Sequence, residues 1–170
     1  MFKLFGNTFR LYNEAGELTY YVKQKAFRLR EDLPVYTSDG EIYLRIKARA
    51  ILDSSGHFDF LAENGSRKVG SAKRNVLKSM FIDDWDLFDS EDHLVGKLQE
   101  CKGALTWVRK FFRWIPQTFE VTLEGIVIGT VRQRLNLFQS VYEISFGNPK
   151  HHEIAIAIAV LVVAIESKYD

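Results

Sequence analysis

The sequence predicts an all-β domain: antiparallel hairpins closed into a barrel of about twelve strands around one buried apolar C-terminal helix. Three observations carry this reading. A two-strand pattern recurs along the chain, Asx-Gly and acidic turns punctuate it, and the tail ends in an uninterrupted apolar run. With 170 residues, 46% of them hydrophobic and 26% charged, the chain suits one domain spanning 1–170 with a proper core. A formal net charge of +1 gives no global attraction to nucleic acid or membrane, so any anionic partner must be met by a local patch. No nucleic-acid partner is expected.

Each copy of the pattern pairs an apolar residue with basic ones, passes through a linker and resumes at a bulky residue. A fragment opens the chain at Phe9-Arg10-Leu11-Tyr12, running into Asn13-Glu14-Ala15-Gly16. Val22-Lys23-Gln24-Lys25 leads to Val35-Tyr36 and the turn Ser38-Asp39-Gly40. Ile46-Lys47-Ala48-Arg49 leads to Phe58-Asp59-Phe60 and Glu63-Asn64-Gly65. Ala72-Lys73-Arg74 leads to Trp85-Asp86-Leu87-Phe88 and the acidic turn Asp89-Ser90-Glu91-Asp92. Val108-Arg109-Lys110 leads to Phe119-Glu120-Val121 and Glu124-Gly125, and Val131-Arg132-Gln133-Arg134 leads to Tyr142-Glu143-Ile144. The basic positions Lys23, Lys47, Lys73, Arg109 and Arg132 are spaced 24, 26, 36 and 23 residues apart, a unit of about two strands with one longer excursion. Alternation within Ile42 to Arg49 puts the basic residues on one face, as a half-buried strand requires. Leu105 to Ile115 fits either a basic amphipathic helix on a membrane or a strand and linker. Its match to Val131–Phe138 favours the strand.

The tail departs from the pattern. Every residue from Ile154 to Ile165 is Ile, Ala, Val or Leu, a composition with no polar face. Asn148 and Pro149 supply an N-cap and a first-turn proline, which places a helix at about Pro149 to Ser167. A helix apolar all round is buried in protein or lipid. A membrane span needs about 20 such residues, and this run is bounded by Glu153 and Glu166, so burial in protein is expected. Eight strands close on their own side chains, whereas about twelve leave a lumen. Ala155, Ala157, Ala159 and Ala164 keep the helix slim enough to fill it.

Tyr20 to Phe27, Trp85-Asp86-Leu87-Phe88, Val131 to Arg134 with Tyr142-Glu143-Ile144, and above all Ala159 to Glu166, resemble in their order the LURP-one-related family. That family sits in the superfamily of tubby C-terminal domains and phospholipid scramblases. The resemblance implies a tubby C-terminal-like barrel around a central helix. Tubby-like domains bind phosphoinositide headgroups, but no segment here matches their binding motif. The stretch Gln139 to Gly147, where scramblases carry a proposed acidic calcium segment, holds a single carboxylate. The proline-rich extension and cysteine cluster of scramblases are missing as well. Plant members of the group are associated with defence and have no agreed biochemical activity.

Sites for chemistry are sparse. From Asp84, position 5 of a calcium loop is Phe88 and position 6 is Asp89, so an EF-hand fails. Among His57, His93, His151 and His152 only the last two adjoin, and helix neighbours diverge too far to chelate together. The single cysteine, Cys101, allows no internal disulfide and reads as a small packed residue or a chance surface thiol. No nucleophile-elbow or phosphate-loop spacing occurs, and the start lacks a signal peptide's apolar core. The expectation is therefore a non-enzymatic cytoplasmic protein with no catalytic residue, metal or cofactor.

The basic residues offer the one candidate site. Equivalent positions would band Lys23, Lys47, Lys73, Arg109 and Arg132 around the barrel, and Arg67, Lys68, Lys73, Arg74 and Lys78 add a local surplus free of acids. Such a band would hold anionic phospholipid headgroups at the face of a membrane. Charged outer faces also simply keep strands soluble. A peripheral lipid-binding module, a protein-interaction or scaffold domain without lipid affinity, and a membrane-inserted scramblase-like protein are the three readings left open, in that order.

Overall fold

A computed structural model describes residues 2–5, 8–23, 32–49, 56–75, 84–101, 117–134, 141–147 and 151–166. Twelve strands lie among them: β1 (Phe2–Phe5), β2 (Thr8–Tyr12), β3 (Leu18–Lys23), β4 (Asp32–Thr37), β5 (Ile42–Ala48), β6 (His57–Ala62), β7 (Arg67–Arg74), β8 (Asp84–Phe88), β9 (Leu94–Glu100), β10 (Thr118–Leu123), β11 (Ile126–Arg134) and β12 (Val141–Phe146). Each pairs antiparallel with its neighbours in sequence, and β1 closes the ring by pairing β12 through Phe2↔Tyr142 and Lys3↔Val141. The helix α1 spans His152–Glu166. The sequence-expected bounds Pro149 and Ser167 lie outside the described residues, as does the Leu105–Ile115 stretch.

Period-2 alternation builds the wall. Val35 of β4, Leu44 and Ile46 of β5, Phe58 and Phe60 of β6, and Trp85 and Leu87 of β8 all point inward and are buried. Phe119 and Val121 of β10 and Tyr142 of β12 join the lining, as do Phe9, Val22, Leu98 and Val131 from β2, β3, β9 and β11. Inside it runs α1, whose residues Ala155 to Ala164 are at most 8% exposed. The alanines let the helix axis approach the wall, and Ile158 and Leu161 fill the wider gaps. Wall and helix thus form one contiguous core. No helix among the described residues is long and apolar enough to cross a membrane.

The connections divide the barrel into two ends. Tight turns join β2 to β3, β4 to β5, β6 to β7, β8 to β9 and β10 to β11. Longer linkers leave the opposite end after β3, β5, β7, β9 and β11. Lys23, Lys47, Lys73 and Arg132 occupy the linker halves of odd strands, as the repeat requires. The fourth member, Arg109, lies outside the described residues. The one cation of β9, Lys97, is the central residue of its strand and pairs with Thr122 beside the β10–β11 turn.

Candidate functional site

The apparent cluster Arg67, Lys68, Lys73 and Arg74 is spread over β7, because neighbours on a strand face opposite sides. Arg67 stands opposite Ala62 on the inward face and reaches the first turn of α1, with Nη2 2.8 Å from Glu153 Oε1 and Nε 2.7 Å from Glu63 Oε1. Lys68 faces outward, its Nζ 2.6 Å from Asp92 Oδ1. Arg74 lies across from Trp85 with its guanidinium 6.0 Å from that ring, at the linker mouth. Of these four, Lys73 alone is an exposed outer-wall residue without an ion pair among the described residues. Lys78 lies outside the described residues.

Arg67 belongs to a latch on the plug. Tyr20 Oη and His152 Nε2 are 3.1 Å apart, and the Tyr20 and Tyr43 rings sit 4.6 Å apart beside them. Burial, followed by the neighbouring Tyr20, pushes the Tyr43 phenol above its usual range. These groups fix where α1 enters the barrel.

On the outer wall His57, Asp59, Ser71 and Asp92 converge. His57 Nε2 is 3.2 Å from Ser71 Oγ, and the ligand atoms of His57, Asp59 and Asp92 lie within 4.8 Å of one another. Two cations already serve the carboxylates: Arg49 Nη2 is 2.5 Å from Asp59 Oδ1 and 2.7 Å from Asp92 Oδ1, and Lys68 bonds Asp92. A divalent ion would have to displace both. The hydrogen bonds from Arg49 and Lys68 hold the Asp92 carboxyl below the ordinary carboxylate range. The Ser–His contact also lacks what acyl transfer needs. Ser71 is 1% exposed, and no carboxylate bonds the second nitrogen of His57 among the described residues. Burial, then the Arg49 charge, lowers the His57 pKa, so its ring is neutral at pH 7.

Charge is sorted along the barrel. One register row across the wall reads Asp32–Lys47–Asp59–Ser71, and the next reads His57–Lys73–Asp86–Lys97. Arg132 stands opposite Glu143. The acids of these rows are largely taken by arginines: Arg45 pairs Asp32, Arg49 pairs Asp59 and Arg134 pairs Glu143. Lys47, Lys73, Lys97 and Arg132 are left without an ion pair among the described residues, and Lys23 Nζ lies 5.6 Å from the stacked rings of Tyr21 and Tyr36. The turn end is acidic instead, carrying Glu14, Glu17, Asp39, Glu41, Glu63, Asp89, Glu91, Asp92 and Glu124. Arg67 and Lys68 on its strands are both ion-paired, and Lys97 pairs with Thr122 near the β10–β11 turn.

An apolar groove opens at that turn end. β12 stops at Phe146, opposite Gly129, so among the described residues Ile126 and Val127 of β11 pair with β10 alone, while Ile128 sits at the bulge and accepts a bond from Gly147 N–H at 3.0 Å. Ile126 and Val127 are 67% and 53% exposed. The overhang, Leu123, Glu124, Gly147 and His151 line a groove of about 330 Å³. Sequence reasoning missed it, because the exposure follows from where β12 ends.

A family model described as LURP-one-related matches residues 18–164. No curated protein and no solved structure gives a match.

Proposed function

The chain belongs to the LURP-one-related family, and we propose that it is a non-enzymatic, cytoplasmic binding domain that meets anionic phospholipid surfaces with the linker end of its barrel. The observation that carries this reading is the axial sorting of charge. Lys23, Lys47, Lys73 and Arg132 sit in the linker halves of odd strands, where Asp32, Asp59 and Glu143 are taken by arginines, while the tight turns are rich in acids. Near an anionic surface each basic side chain contributes on the order of 1 kcal/mol within a Debye length. The acidic turns are repelled, so the same field that attracts the domain also orients it. Enclosure of α1 within the strands speaks against membrane insertion of that helix.

Co-sedimentation with vesicles tests the reading. The domain is expected to pellet with phosphatidylserine-containing vesicles at low salt, to release at high salt and to ignore neutral vesicles. Glutamine at Lys23, Lys47, Lys73 and Arg132 together should abolish pelleting. Absence of binding at low salt would refute the lipid reading and leave the protein-interaction reading in its place.

A further inference from the structure

We propose that the overhang of β11 is a docking site for a protein segment presenting apolar side chains flanked by lysine or arginine. The groove is built into the wall: β12 ends one residue before Gly147, whose N–H bonds Ile128 O at 3.0 Å, and the hairpin tip continues beyond it. The tip is a two-residue turn with Glu124 and Gly125 both at positive φ, 51° and 78°. That turn suits the strand twist and keeps Ile126 and Val127 projecting. Two exposed β-branched residues directly after the tip form an apolar surface where the tight turns are otherwise polar.

Charge selects the occupant. Glu124 lines the groove, and Asp89 and Glu91 stand in the turn that leads into Leu94. An anionic membrane is repelled there, and a second copy would bring the same acidic rim against itself. A basic-flanked apolar segment satisfies both the field and the groove. This site lies at the end opposite the proposed membrane face, so the domain would hold a membrane and a protein at once.

The experiment titrates the full chain with three short labelled peptides, reading fluorescence anisotropy and backbone amide shifts. One alternates valine and leucine with lysine, one carries glutamate for every lysine, and one carries serine for every apolar residue. The lysine–apolar peptide should bind at least tenfold tighter than either counterpart and shift the amides of Leu94, Ile126, Val127 and Gly147. Val127→Ser with Ile126→Ser should weaken it tenfold or more, and Lys73→Gln should leave it unchanged. Comparable binding of the glutamate or serine peptide, shifts centred elsewhere, or no binding overturns the proposal. None of these outcomes depends on vesicle binding.

Discussion

Truncating Leu161 to alanine tests whether α1 fills the barrel. Leu161 is fully buried at mid-helix, and the helix packs near β5, β6, β7 and β12. Removing a buried leucine side chain costs about 2–5 kcal/mol, the larger values arising where surroundings cannot collapse into the cavity. Here the wall is a closed ring of twelve paired strands, and its hydrogen bonds fix the circumference. The expected loss is therefore in the upper part of that range, about 3–5 kcal/mol. For a domain of this size each kcal/mol moves Tm by about 2–4 °C, which gives a fall of roughly 6–20 °C. Urea and thermal unfolding followed by circular dichroism would measure it. Ile126→Ala is the control, since a residue that exposed should change stability by no more than about 0.5 kcal/mol. If Leu161→Ala lowers Tm no further than Ile126→Ala does, the helix is not a packed plug and the reasoning fails.

Other consequences follow from single contacts. A Cβ added at Gly96 would overlap the Thr122 carbonyl oxygen and lie 2.7 Å from Leu123 Cδ2, so Gly96→Ala should destabilise the β9–β10 pair by about 1–3 kcal/mol in urea unfolding. His57 has its pKa lowered by burial from 6.5, so below that value the unfolded chain takes up a proton that the folded one refuses. Stability contributed by neutral His57 is thus complete above pH 6.5 and declines as pH falls toward the folded value; His57→Gln should flatten the stability–pH curve in that window. An unchanged slope would show that His57 is not held neutral by its surroundings.

Much of the fold was legible because its two strongest signals are local. Period-2 alternation and Asx-Gly turns announce hairpins, and a run of Ile, Ala, Val and Leu with no polar face announces a buried helix. The fourth basic position of the repeat, Arg109, lies outside the described residues, and the other four fall in the linker halves of their strands. The candidate site was far less legible. Arg67, Lys68, Lys73 and Arg74 read as one patch, yet strand alternation sends Arg67 to Glu153 and Lys68 to Asp92. Such ion pairs link residues 24 to 86 positions apart, beyond the reach of any local pattern. The overhang at Ile126 and Val127 was hidden for a related reason, since it depends on the register of β11 against β12.

Orientation at the membrane is the most direct test of the account. With Cys101 replaced by serine, a single fluorophore would be placed at Gln99→Cys near the linker end or at Ala15→Cys in the β2–β3 turn. Quenching by a headgroup-labelled anionic vesicle then reports which end approaches the lipid. Strong, salt-sensitive quenching is expected at position 99 and little at position 15. Equal quenching at the two positions, or stronger quenching at position 15, would contradict it.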